Sequence, residues 1–148
     1  MPNLLFVCSS DRTRGPLAAA SFQYLAKVGQ LEDWTVASAG LHAHRGQMIA
    51  PEVREALAEI HLEPLKIGVQ ELTPKLIKCS DLILCMTSNQ EDEITSRFIS
   101  ARSKTKTLMS VAGSSADVFD PNKLGIEKFR QCLQMMWPAL EQLVERLK

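Results

Sequence analysis

Leu4-Leu5-Phe6-Val7 is an unbroken apolar run close to the start of the chain. A strand with one wet face alternates apolar and polar residues, so an unbroken run needs cover on both faces. That requirement favours a parallel sheet sandwiched between helices. Leu82 to Met86 is a second run of this kind, and Thr35 to Ala37 and Thr107 to Ser110 read as further short strands. Helical stretches fall between them. Pro16 suits a first helical turn, and the Ala-rich segment behind it runs to a stop at Gly29. Pro51 opens a helix with Val53, Leu57 and Ile60 on one face, Leu72 to Lys78 a short one, and Ser88 to Ser100 a polar one. The last carries Ile126, Phe129, Leu133, Met136, Leu140, Leu143 and Leu147 at three- and four-residue spacing, with Pro138 expected to kink it or cost it a hydrogen bond. The pattern predicts one α/β domain over residues 1–148, a doubly wound four-stranded parallel sheet with helices on both faces. Ligands of such sheets bind beyond the carboxyl ends of the strands.

Composition removes several function classes. Seventeen Lys and Arg balance seventeen Asp and Glu, a neutrality that argues against nucleic-acid and membrane-surface partners. No apolar run approaches the ~20 residues that span a bilayer. The opening MPNLLFV lacks the basic start and long apolar centre of a signal peptide, so a cytoplasmic protein is expected. Four cysteines are too few and too scattered for a disulfide scaffold, and no C-x-x-C pair suggests zinc. Cys79, Cys85 and Cys132 sit in apolar contexts and read as core residues. Cys8 differs.

Cys8 closes the first strand, and Ser9, Ser10, Asp11, Arg12, Thr13 and Arg14 follow before the helix. A strand-turn-helix unit points backbone N–H groups into the turn, and the helix adds the positive end of its dipole. Both favour a phosphate-like oxyanion. Arg14, six residues after Cys8, can fold back and grip two of its oxygens. The same field favours a thiolate, predicting a lowered Cys8 pKa and attack on phosphorus through a phosphocysteine. The bland alternative is a buried cysteine beside a solvated turn.

The stretch LLFVCSSDRTRGPLAAA, then SAG at Ser38 to Gly40, DLILCM at Asp81 to Met86 and DVFDP at Asp117 to Pro121, resembles the low-molecular-weight protein tyrosine phosphatases across nearly the whole chain. The resemblance implies Cys8 as nucleophile, Arg14 as transition-state clamp and Asp120 as the acid that protonates the leaving oxygen and then activates water. It implies a phosphorylated protein or a small aryl phosphate as substrate, and no metal or cofactor, since loop amides and Arg14 carry the electrostatic stabilisation. Taken alone, Asp-Pro after a Gly/Ser-rich loop is a common turn former, and Asp117 competes with Asp120 in the same loop.

Several positions depart from the family pattern. Gly15 stands where a Ser or Thr usually donates to the thiolate, which implies a higher Cys8 pKa than usual and slower phosphocysteine breakdown unless Ser9 or Ser10 compensates. Asp11 replaces an Asn that braces the loop; it can take the same backbone conformation and accept a bond from Ser38, but adds charge. Arg12 either offsets that charge or is solvated. Thr13 takes the place of a cysteine found in many relatives, so Cys8 is expected to oxidise without a protective disulfide. The aromatic walls of the crevice are replaced by Asn122 and Lys123 on one side and by His44, or a merely solvated His44, on the other. Two alternatives remain: a non-catalytic phosphate-binding module, and a thioredoxin-coupled arsenate reductase relaying through Cys79 and Cys85.

Overall fold

The computed structural model describes residues 1–148. Four parallel strands, β1 (Asn3–Cys8), β2 (Thr35–Gly40), β3 (Leu82–Cys85) and β4 (Thr105–Thr107), lie in the order β2-β1-β3-β4. The helices are α1 (Arg14–Val28), α2 (Pro51–Ala58), α3 (Pro74–Cys79), α4 (Ser88–Arg97) and α5 (Ile126–Leu147). Because successive side chains of a strand point to opposite faces, β1 divides its residues between two cores. Leu4, Phe6 and Cys8 join Leu17, Phe22, Phe129, Met136 and Leu140 on the α1/α5 side. Leu5 and Val7 join Ile77, Ile83 and Ile94 on the α3/α4 side. The uniformly apolar run thus serves both faces, as expected.

β1 lies between β2 and β3, so the chain leaves its carboxyl end first to one side and later to the other. That reversal opens a crevice at the strand ends. Cys8 sits there, paired in register with Gly40 of β2.

Some boundaries differ from expectation. The fourth strand is Thr105–Thr107, not Thr107 to Ser110. Ser110 turns back instead, its Oγ donating to the Thr107 carbonyl at 2.7 Å, and Met109–Ala112 form a 3₁₀ turn. The first helix begins at Arg14, two residues before Pro16. The polar helix ends at Arg97, because Phe98 turns extended. The last helix runs through Pro138 to Leu147 without a break.

Gly40 makes the closest packing demand at the crevice. A Cβ there would lie 2.7 Å from the Ser9 carbonyl oxygen and 2.9 Å from the Asp11 nitrogen. Around it, Leu41 N–H donates to Cys8 O at 2.9 Å and His42 N–H to Ser9 O at 2.7 Å. The strand end and the turn after β1 are zipped together, and only glycine permits the approach. Gly40→Ala should cost about 1–3 kcal/mol through forced backbone displacement, read by calorimetry as a Tm lowered by roughly 3–10 °C. An unchanged Tm would mean that the turn gives way freely.

Candidate active site

The turn between β1 and α1 is held from beneath by Asp11. Its backbone is left-handed at φ 59°, a conformation Asp tolerates better than most residues. Its side chain is fully buried. Oδ1 accepts from Ser38 Oγ at 2.7 Å, and Oδ2 accepts from the Gln70 N–H at 2.8 Å and from the Lys66 ammonium. The bond from Ser38 agrees with the reading of the sequence. Lys66 and Gln70 do not figure in that reading. Both also donate to the Ser38 carbonyl, at 2.8 and 3.1 Å, which ties the segment after α2 to the end of β2.

Cys8 is only 1 % exposed. The main-chain N–H groups of Gly15 and Asp11 and the Arg14 charge favour the thiolate. Burial and the Asp11 carboxylate outweigh them and push the thiol above the ordinary value. This corrects the expectation of a lowered pKa: the turn that supplies donors also excludes water and carries a carboxylate.

Arg14 is inside the site, 5 % exposed. Its Nη1 donates to the Val118 carbonyl at 2.9 Å, and its Nη2 lies 3.7 Å from Asp120 Oδ2. Its Nε is buried and makes no hydrogen bond. Such a donor is costly unless an acceptor reaches it, and an oxyanion gripped by the turn is one. Asp120 keeps 38 % of its side chain exposed beside Arg14. Its Oδ1 accepts from Thr13 Oγ1 at 2.9 Å and from the Asn122 N–H at 3.1 Å. Thr13 therefore commits its hydroxyl to Asp120. Asp117 is turned elsewhere, accepting at 2.9 Å from the Ser88 N–H at the start of α4. Of the two loop carboxylates, only Asp120 meets Arg14.

An open cleft of about 720 Å³ adjoins the turn. Ser10 and Arg12 form part of its lining, Asn122 and Lys123 come from the Asp-Pro loop, and Met48, 58 % exposed, is an apolar member. Arg12 neither offsets Asp11 nor hangs in solvent. Its Nε donates to the Met48 carbonyl at 2.9 Å and its Nη1 to Asn122 Oδ1 at 3.2 Å, so it spans the cleft. Residues 46–49 line this cleft and His44 does not; His44 is exposed, and its carbonyl accepts from the Gln47 N–H at 3.1 Å.

The other cysteines do not build a relay from Cys8. Cys79 precedes β3 and its carbonyl accepts from Asn3 Nδ2 at 2.8 Å. It therefore lies at the opposite end of β1 from Cys8, roughly 16 Å away at the usual strand rise. Cys85 is buried within β3, and desolvation pushes its thiol up to about 12.

Because burial and a carboxylate dominate at Cys8, its alkylation by iodoacetamide should climb steeply between pH 7 and pH 9 and level off only above the ordinary thiol value of 9.0. The measurement follows Cys8 modification by mass spectrometry across that range. A plateau already reached below pH 7 would contradict the balance of charges described here.

Comparison with known proteins agrees with this geometry. The family model "Low molecular weight phosphotyrosine protein phosphatase" matches residues 3–148. A protein-arginine-phosphatase of Bacillus subtilis (strain 168) is 34% identical over 99% of this chain and 97% of its own length. The low molecular weight protein-tyrosine-phosphatase PtpB of Staphylococcus haemolyticus is 29% identical over 90% of this chain and 91% of its own. Among solved structures, a mutant of Bacillus subtilis YwlE superposes with a TM-score of 0.93 at 32% identity, covering 99% of both chains. A mutant YwlE arginine phosphatase with a phosphorylated active-site serine gives 0.92 at 33% identity, covering 98% of this chain and 95% of that one. The chain belongs to the low molecular weight phosphotyrosine protein phosphatase family and is a cysteine-dependent phosphatase.

Proposed function

We propose that this phosphatase removes phosphate from phosphotyrosine in proteins through a phosphocysteine on Cys8. The observation that carries the reading is the position of Arg14, buried at the end of the Cys8 turn with Asp120 on the same guanidinium. Ser9, Ser10, Asp11, Arg12 and Thr13 supply the rest of the turn around the phosphate. In the first step the Cys8 sulfur forms a bond to phosphorus as the P–O bond to the phenol breaks, and Asp120 gives its proton to the departing oxygen. In the second, Asp120 takes a proton from water, the hydroxide attacks phosphorus, and the S–P bond breaks to release inorganic phosphate and the Cys8 thiolate. Arg14 and the turn's N–H groups stabilise the charge on the three equatorial oxygens in both steps.

Arg12 supports an aryl leaving group. A planar guanidinium held along a cleft wall can stack on an aromatic ring, replacing the aromatic walls that Asn122, Lys123 and His44 do not provide. The same cation would repel a guanidinium leaving group. A second reading, phosphoarginine, is favoured by the names of the Bacillus subtilis and Geobacillus stearothermophilus relatives, 34% and 33% identical to this chain, and by the exposed Asp120 carboxylate, which could receive guanidinium N–H groups.

Kinetics on matched phosphotyrosine and phosphoarginine peptides separate the two readings. Phosphotyrosine should have the larger kcat/KM, and Arg12→Ala should lower it several-fold, the worth of about 1 kcal/mol of cation–π contact, while sparing phosphoarginine. A tenfold preference for phosphoarginine would replace the first reading with the second. Cys8→Ser should abolish turnover of both, and Asp120→Asn should slow p-nitrophenyl phosphate hydrolysis by roughly 10²–10⁴. Wild-type rates in Cys8→Ser would refute both readings.

A further inference from the structure

Two anions must share the turn after β1 during catalysis, the Cys8 thiolate and the substrate phosphate. A third negative group is already built into its floor. Asp11 belongs to the turn itself, is fully buried, and disfavours the thiolate charge on Cys8. Like charges close together in a dry site repel strongly unless a cation is placed on one of them. Three cations stand near. Arg12 is committed to the Met48 carbonyl and Asn122, and Arg14 to the Val118 carbonyl and Asp120. Of these, only Lys66 touches the Asp11 carboxylate, and its other hydrogen bond goes to the Ser38 carbonyl. It is three-quarters buried and reaches the turn from below, the side away from the cleft, among whose lining residues it does not appear.

We propose that Lys66 is a positioning residue for the phosphatase reaction: acting through Asp11, its ammonium cancels the carboxylate beneath the turn so that a phosphate dianion can be held over the Cys8 sulfur. Asp11 and Lys66 together then do electrically what a neutral side chain would do alone. Lys66 touches neither phosphate nor sulfur. The titratable groups facing Asp11 are Lys66 from the segment after α2 and Cys8 from the end of β1.

The inference rests on the phosphate-binding reading of the turn, and the test keeps the two apart by measuring binding without turnover. Inorganic phosphate is titrated calorimetrically into the full chain as wild type, Lys66→Met, Asp11→Asn and the double variant, with circular dichroism to check folding. Lys66→Met should weaken phosphate at least ~10-fold, the scale of one uncompensated charge in a partly dry site. Asp11→Asn removes the negative charge and leaves the Lys66 cation in place, so it should tighten phosphate binding. An Asn amide can keep its oxygen toward Lys66 and Gln70 and its NH₂ toward the Ser38 hydroxyl, which also accepts. The double variant should return to within about threefold of wild type, since removing the carboxylate removes the need for the cation. Cys8 alkylation should move with it, its midpoint raised in Lys66→Met and restored in the double variant.

A merely structural Lys66 makes the opposite forecasts. Phosphate affinity in folded Lys66→Met unchanged within twofold, a tenfold loss in Asp11→Asn, or a double variant no better than Lys66→Met would each overturn the proposal. Should Lys66→Met not fold, the Asp11→Asn and double variants still decide, in the same directions. A wild-type protein that binds no phosphate overturns both this role and the reading of the turn.

Discussion

A carboxylate with no exposed surface holds the catalytic turn in shape. Asp11 is bonded from three directions by Ser38, Lys66 and Gln70, and its left-handed backbone reverses the chain so that Cys8 and Arg14 come together. Breaking a buried ion pair by removing one partner typically costs about 3–5 kcal/mol, because the survivor is left uncompensated. Gly40 supplies the space, since the turn lies against its α-carbon where any side chain would stand. Asp11 and Gly40 together tie β1, β2 and the segment containing Lys66 into one support. Every functional group of the site depends on that support for its position.

The fold was legible because its main determinant is local. Leu4-Leu5-Phe6-Val7 can only be a strand covered twice, and the structure distributes those residues between two cores. β4 was displaced by two residues because an edge strand paired only to β3 carries little pattern: Thr105, Lys106 and Thr107 give no apolar run, whereas Leu108 and Met109 beside them do. Cys8, Arg14 and Asp120 were singled out for a different reason. They stand at strand and loop ends, in the order along the chain that the family landmarks imply for the proposed nucleophile, clamp and acid.

Lys66 was not legible. It lies 28 residues beyond Ser38 in a stretch without motif or periodicity, and nothing in the sequence marks one surface-type lysine as the partner of a buried carboxylate. The Asp in the turn was the available signal, since a carboxylate beside a phosphate site demands a cation somewhere. Arg12 was the adjacent candidate, but geometry sends it outward across the cleft to Met48 and Asn122. His44 stands outside the lining of this cleft. A wall position a few residues past Gly40 depends on how the loop turns, and the Gly46–Ile49 segment, anchored by the Ile49 N–H on the Ile67 carbonyl at 2.8 Å, takes that place.

The charge pattern has a consequence for the two halves of the reaction. A sulfur whose pKa is raised by burial and by Asp11 is more nucleophilic once ionised, but fewer molecules are ionised at neutral pH and the thiolate is a poorer leaving group. Gly15 opposes this only weakly, through a main-chain N–H that favours the thiolate, and has no hydroxyl to add to it. A Cβ at this position would stand 3.2 Å from Ser38 Cβ and 3.3 Å from both the Cys8 sulfur and Asp11 Oδ1, so a side chain added there would be tight against all three. Asp11 and Gly15 are therefore parts of one arrangement rather than separate departures. Both leave more of the work to electrostatic support of the phosphate, the part proposed above for Arg14 directly and for Lys66 through Asp11.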